Sequence, residues 1–272
     1  MLDSDRLERA ATAIADAHRT LVPIGGVDAL GDDVPTTIDE GYAVQARVRE
    51  LAGIDPVAWK VGATSEVAQQ FLGVDAPFLG RPGRDRIVGS GSTIELTEWC
   101  CGFQAIEVEV GLRPTVDLDA GRLGDVGVER LALASLVDVV PCIEVVDFRF
   151  GVMVGLPAPC LIADNGVNCA LVVGEPLDLS TDDVIALDAL AVRLDVSGGG
   201  EPIAPVEATA AAALGHPLIA LRTAAEIAIS LGTPIRAGEV VSTGTCTGLQ
   251  AVAAGMAVTA NVGEGHVALD FL

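Results

Sequence analysis

Glu107 and Glu109 stand two residues apart in Gln104-Ala105-Ile106-Glu107-Val108-Glu109-Val110-Gly111, and a third acid, Glu144, lies near the end of an apolar run. Alternation along a strand puts Ile106, Val108 and Val110 on one face and both glutamates on the other. Two carboxylates on one face repel unless solvent screens them or a cation lies between them. Hard oxygen donors of this kind suit Mg²⁺ or Mn²⁺. Taken alone, the pair is more simply a strand with a wet outer face. Glu144 is harder to dismiss, because Val137-Asp138-Val139-Val140-Pro141-Cys142-Ile143-Glu144-Val145-Val146 is almost wholly of buried type. An ionised carboxylate is rarely left unpaired there. It is either a third metal ligand or the partner of an arginine such as Arg149.

Lys60 is the only lysine in the chain; the other 15 basic residues are arginines. Arginine-rich composition explains most of that scarcity, yet it makes the surviving lysine informative. Lysine differs from arginine in its adjustable pKa and compact ammonium, which suit proton transfer and Schiff-base chemistry. In Val57-Ala58-Trp59-Lys60-Val61-Gly62 it sits among bulky apolar neighbours. Burial there lowers its pKa and nearby carboxylates raise it.

Two further segments carry polar groups where turns are expected. Leu161-Ile162-Ala163-Asp164-Asn165-Gly166 places Asp164 and Asn165 directly after an apolar run. Thr243-Gly244-Thr245-Cys246-Thr247-Gly248 is a glycine and hydroxyl loop, suited to backbone contacts with a carboxylate. Each alone reads better as an ordinary turn.

The elements that must position these groups follow from periodicity. Leu7, Ala10, Ala11, Ile14 and Ala17 recur at helical spacing, and Thr37-Ile38-Asp39-Glu40 reads as a capping box opening a helix to about residue 51. Beyond Pro56, β-like runs are predicted at 57–61, 87–96, 103–112, 137–146, 168–173, 190–196, 240–243, 254–262 and 266–272, with helices at 65–72, 127–136 and 217–231. Strands dominate and helices are scattered, which predicts an α+β fold with a mixed, curled sheet. The one plausible boundary, near 54–56, separates a helical N-terminal segment (1–55) from a β-rich body (56–272).

The chain's 272 residues are half hydrophobic but only 3% aromatic, so Ala, Val, Leu and Ile must fill the core. The formal net charge of -22 repels nucleic acid and anionic membrane, both of which need Lys and Arg to neutralise phosphate. No apolar stretch is expected to span a bilayer, which takes about 18 residues, and the charged start lacks the apolar core of a signal peptide. A cytoplasmic protein is expected. The six cysteines form no Cys-x-x-Cys pair and the three histidines are far apart, so free buried thiols are expected rather than a zinc site.

The order of short motifs resembles the 2-keto-4-pentenoate hydratase and 4-oxalocrotonate decarboxylase group of the fumarylacetoacetate hydrolase superfamily. The markers are Tyr42-x-x-Gln45, Lys60-Val61-Gly62-Ala63-Thr64-Ser65, Leu72-Gly73-Val74-Asp75-x-Pro77-x-x-Gly80, Ile106-Glu107-Val108-Glu109, Pro141-x-Ile143-Glu144-Val145-Val146-Asp147-x-Arg149, Ala163-Asp164-Asn165, Leu214-Gly215-His216-Pro217-Leu218 and the stretch 238–244. The resemblance implies a β-rich fumarylacetoacetate hydrolase-type fold behind a helical N-terminal segment, usually homo-oligomeric. It implies Mg²⁺ or Mn²⁺ held by Glu107, Glu109 and Glu144, and Lys60 as proton shuttle. It further implies contacts from Ser65, Asp164, Asn165, Thr243 and Gly244 to a small 2-keto or 2-hydroxydienoic acid. The implied reaction is hydration of a 2-hydroxy-2,4-dienoate to a 4-hydroxy-2-keto acid. Decarboxylation of the 4-oxalocrotonate type, other 2-keto acid lyase or hydrolase chemistry, and a silent subunit serving a pathway enzyme are the alternatives. Phe78 follows Pro77 where several hydratases of the group carry an acid, and Phe78 with Leu79 would favour an uncharged substrate tail.

Overall fold

The computed structural model of the protein describes residues 2–126, 130–151, 155–200 and 203–272. Helix α1 (Ser4–Thr20) opens where the Asp3 carboxylate accepts from the Arg6 N–H at 2.9 Å, and it buries Ala10, Ala11, Ile14, Ala15 and Ala17. Helix α2 (Ile38–Ala52) carries the expected capping box: Thr37 Oγ1 accepts from Glu40 N–H, and Glu40 Oε2 accepts from Thr37 N–H, both at 3.2 Å. Such a cap contributes about 1 kcal/mol. Glu40 also accepts from Leu2 N–H at 2.7 Å, tying the start of the chain to α2. The buried residues of α2 are Glu40, Gly41, Val44, Gln45 and Val48.

The body follows as β1 (Ala58–Gly62), α3 (Glu66–Leu72), β2 (Phe78–Gly80), β3 (Ile87–Gly89), β4 (Ser92–Ile94), α4 (Leu96–Trp99), β5 (Ala105–Pro114), α5 (Ala120–Val126), α6 (Arg130–Ala134), β6 (Val137–Val146), α7 (Ala158–Ala163) and β7 (Asn168–Val173). It ends with α8 (Thr181–Ile185), β8 (Ala191–Ser197), β9 (Val206–Thr209), α9 (Pro217–Ser230), β10 (Val240–Thr245), β11 (Gln250–Ala251), β12 (Ala257–Val262) and β13 (Gly265–Phe271). The eight-stranded mixed sheet runs β2-β1-β10-β5-β6-β7-β3, with β11 added to β5; the five-stranded sheet runs β4-β13-β12-β8-β9. The fold is of the expected α+β class, with mixed, curled sheets behind N-terminal helices.

Alternation decides what each face of β5 meets. Ile106, Val108, Val110 and Leu112 are fully buried in the main core, which also takes Leu218, Leu221, Ala224 and Ala225 of α9. The opposite face presents Glu107, Glu109 and Gly111. A second apolar cluster joins α1 and α2 to Phe78, Val146, Phe148 and α7, so residues on both sides of the 54–56 boundary share one core.

Several expectations need correction. The run 87–96 is two short strands in different sheets, β3 beside β7 and β4 beside β13, because the chain turns at Ser90-Gly91. The apolar Leu161-Ile162-Ala163 is the last half of helix α7. The helix expected at 127–136 is present as α6, and 127–129 lie outside the described residues. The stretch Ala210–Ser230 is long and apolar enough to cross a membrane by composition, contrary to the sequence reading. It is not one rod: a 3-10 turn at Ala210–Ala212 and a turn over 213–215 precede α9, whose apolar face is buried.

Candidate active site

Cross-strand register brings the three glutamates together. Glu107 of β5 lies directly opposite Glu144 of β6, and Glu109 lies opposite Cys142 on the same face. Carboxylate oxygens of Glu107, Glu109 and Glu144 all fall within 4.8 Å of one another. Lys60 enters from β1, where it pairs with Ser242 of β10, and its Nζ is 3.1 Å from Glu144 Oε2.

Glu144 and Glu109 are oriented by neighbours of which two, Ser242 and Asn168, were not singled out from the sequence. Glu144 Oε1 accepts from Asn168 Nδ2 at 2.9 Å, so both its oxygens have a cationic or amide partner. Glu109 Oε2 accepts from Ser242 Oγ at 2.5 Å and from the Gly244 backbone N–H at 2.8 Å. Glu109 Oε1 is buried with no hydrogen-bond partner. Ser242 was legible only as one polar residue between Val241 and Thr243, and Asn168 only as the first residue of a strand.

The electrostatics are those of crowded acids around one base. Burial, then repulsion from Glu144 and Glu107, pushes Glu109 up to about 8. Burial raises Glu107 to about 7 against the pull of Lys60, with Glu144 adding to the rise. Burial works against the Lys60 ammonium, but attraction from Glu144, Glu107 and Glu109 outweighs it and holds its pKa above the usual lysine value. When all three are ionised, the carboxylates outweigh the one ammonium by two negative charges. An all-oxygen donor set, one donor atom orphaned, and a residual charge of about two fit a divalent cation.

A cavity opens onto this cluster. Lys60, Glu107, Thr64, Ser65 and Thr245 supply its polar lining, and Phe71, Leu72, Phe78, Val146, Phe148, Leu161, Val167 and Leu249 its apolar walls. Leu79, one residue on, points to the other side of β2 and does not line it. Of the residues expected at the substrate, Ser65 lines the cavity, where its Oγ also caps α3 by accepting from Ala68 N–H at 3.1 Å.

The other four stand behind the cavity. Thr243 donates its hydroxyl to the Val110 carbonyl at 2.7 Å. Gly244 turns with φ +104° beside Thr64, and a Cβ there would lie 2.1 Å from Thr64 Oγ1, so only glycine lets its N–H reach Glu109. Asn165 pairs its side chain with the backbone of Arg81 like a short strand, Oδ1 accepting from N–H and Nδ2 donating to the carbonyl, each at 2.9 Å. Asp164 accepts from Arg149 N–H at 2.9 Å and faces the Arg149 and His18 side chains. Arg149 is therefore not the partner of Glu144; Lys60 is. The six cysteines are free, as expected.

No family model matches the chain. It is 31% identical over 270 residues to the 2-keto-4-pentenoate hydratase of Paraburkholderia xenovorans (strain LB400), covering 97% of this chain and 94% of that protein. It is 29% identical over 241 residues to the 4-oxalocrotonate decarboxylase of a Pseudomonas species, covering 85% of each. The structure of 4-oxalocrotonate decarboxylase from Pseudomonas putida G7, complexed with magnesium and adipate, superposes with a TM-score of 0.84 at 26% identity, over 100% of this chain and 99% of that one.

Proposed function

The chain belongs to the 2-keto-4-pentenoate hydratase and 4-oxalocrotonate decarboxylase group of the fumarylacetoacetate hydrolase superfamily, and from that premise we propose that it hydrates a 2-hydroxy-2,4-dienoate to a 4-hydroxy-2-keto acid. The observation that carries this reading is the cavity that meets Lys60 and Glu107 at its polar end and is otherwise walled by apolar side chains.

Glu107, Glu109 and Glu144 would hold Mg²⁺ or Mn²⁺, which when bound supplies Lewis-acid stabilisation to negative charge developing on the substrate's carboxylate and 2-oxygen end. Lys60 Nζ moves the proton to and from the carbon chain as general acid and base. Glu144 keeps Nζ in place and keeps it charged in the resting site. Ser242, Asn168 and the Gly244 N–H orient the carboxylates; Thr243 ties β10 to β5, and Asn165 braces the chain just after β2. Ser65, at the cavity wall, is the hydroxyl placed to contact substrate.

The cavity also favours hydration over decarboxylation. Among the described residues Lys60 is the one cation in its lining, so a second substrate carboxylate would be pressed against Phe78, Phe148 and Leu249 without a counter-charge. The decarboxylase reading draws on the likeness to the Pseudomonas putida G7 enzyme and on Phe78 standing in place of an acid.

Purified protein with Mg²⁺ is given 2-hydroxypenta-2,4-dienoate and, separately, a 2-oxo-3-enedioate, with mass analysis and CO₂ trapping. Gain of one water by the monocarboxylate is expected. Release of CO₂ from the dicarboxylate without hydration of the monocarboxylate would replace this proposal with the decarboxylase.

A further inference from the structure

The Tyr42-x-x-Gln45 motif does not reach the active site. It opens onto a second cavity on the far face of β1, where Trp59 points away from Lys60 and where Asp39, Arg49 and Arg81 complete the polar lining. Two arginines meeting in one cavity is notable in a chain with 38 acidic residues against 16 basic ones.

Arg81 is 5% exposed. Its guanidinium lies 3.6 Å over the Trp59 ring, and Nη2 holds Glu239 Oε1 at 3.0 Å. Glu239 Oε2 accepts from Trp59 Nε1 at 2.8 Å, so one carboxylate fixes both residues. Arg81 Nε remains buried without a hydrogen-bond partner. Arg49 donates through Nη1 to Gln45 Oε1 at 2.7 Å, and among the described residues no carboxylate lies within 4.0 Å of its guanidinium. Gln45 is itself clamped, its Nε2 donating to the Leu79 and Ile162 carbonyls at 2.8 Å each. Tyr42 Oη accepts from Leu79 N–H at 2.9 Å, which leaves its own hydrogen to donate.

Arg81 therefore has half-buried Glu239 as its carboxylate, whereas the one acting on Arg49 is exposed Glu50, and Asp39 lines the cavity from an exposed position where water screens it. Burial, and then the nearby Arg49 charge, pull Arg81 down to about 10 against the opposing effect of Glu239. Planar forks held by fixed partners are the geometry that binds carboxylate and phosphate groups.

We propose that this cavity is a binding site for a small oxyanion, a carboxylate or a phosphate, held by Arg49 and Arg81 with Tyr42 as an added donor. The site is one residue from the active-site scaffold. Arg81 is braced by Asn165, and Gly80 beside it pairs with Lys60.

The test titrates inorganic phosphate and, separately, acetate into the full chain carrying Trp99→Phe, at constant ionic strength and with chelator present, following Trp59 emission. Calorimetry on the unaltered chain supplies the same constant without that substitution. A saturable response is expected, weakened at least tenfold by Arg49→Gln, largely restored by Arg49→Lys and unaffected by Lys60→Ala. A tighter response to acetate identifies a carboxylate ligand, and the reverse a phosphate. No saturable response to either anion, equal binding by Arg49→Gln, or loss of binding in Lys60→Ala would each overturn the site. Emission that changes with protein concentration and with neither anion would overturn it in favour of a side chain from a second copy.

Discussion

Lys60 and Glu144 stand on strands separated by two others, yet their charged ends are 3.1 Å apart. Three strand spacings in a flat sheet amount to ~14 Å. Curling of the sheet shortens that span and turns the side chains of β1, β10, β5 and β6 toward one centre. The ion pair is thus a product of sheet curvature, and it is the link between the acid cluster and the base.

Removing that base separates binding from chemistry. Lys60→Ala is expected to lower turnover of the dienoate by about 10²–10⁴, the usual contribution of a positioned acid–base group, while Mn²⁺ binding measured by calorimetry persists. Lys60→Arg is expected to fail as well, because a guanidinium does not give up its proton near neutral pH. Full activity in Lys60→Ala would sink the proton role.

Ser242 and Asn168 touch the carboxylates and not the substrate cavity. Ser242→Ala and Asn168→Ala are each expected to weaken Mn²⁺ binding about 10–100-fold, the ordinary effect of losing a group that orients a ligand. Unchanged affinity in both would show that the glutamates are held by their strands alone.

Without metal, the acid cluster makes stability fall as pH rises. Glu107 and Glu109 have folded pKa values of about 7 and about 8, above their ordinary 4.5. The folded state therefore holds protons that the unfolded state releases, and the stability they confer is present below about pH 4.5 and lost as pH passes through 7–8. Thermal melts in chelator should show this decline, and Glu109→Gln should flatten it. A metal-free protein whose melting point climbs over that range contradicts the cluster's electrostatics.

Asn165 braces Arg81 through two side-chain hydrogen bonds and sits at φ 51°, a left-handed backbone that asparagine tolerates. Asn165→Ala loses both bonds and strands the Arg81 N–H and carbonyl, at a cost of about 2–4 kcal/mol. Urea unfolding measures it. A loss below about 0.5 kcal/mol would mean that the loop is held elsewhere.

Local patterns carried far in the sequence of this protein. The run 137–146 has the same bounds in the structure as in the periodicity, because a strand of buried-type residues is recognisable wherever it pairs. The capping box at Thr37 was legible for a similar reason: its partners are three residues apart. Alternation alone put Glu107 and Glu109 on one face, and the ordered motifs pointed to Lys60 and Glu144 before any geometry was known.

What tertiary structure alone decided was which groups meet across long separations. Sequence left open whether Glu144 faced Arg149 or the other acids, and register on β5 settled it by setting Glu144 opposite Glu107. The resemblance implied substrate contacts for Asp164, Asn165 and Thr243, and the structure shows their side chains meeting Arg149, Arg81 and Val110. A sequence fixes which way a side chain leaves its own strand, through the two-residue period of the backbone. The neighbour it meets depends on strand order and sheet curvature, which arise from contacts between distant parts of the chain.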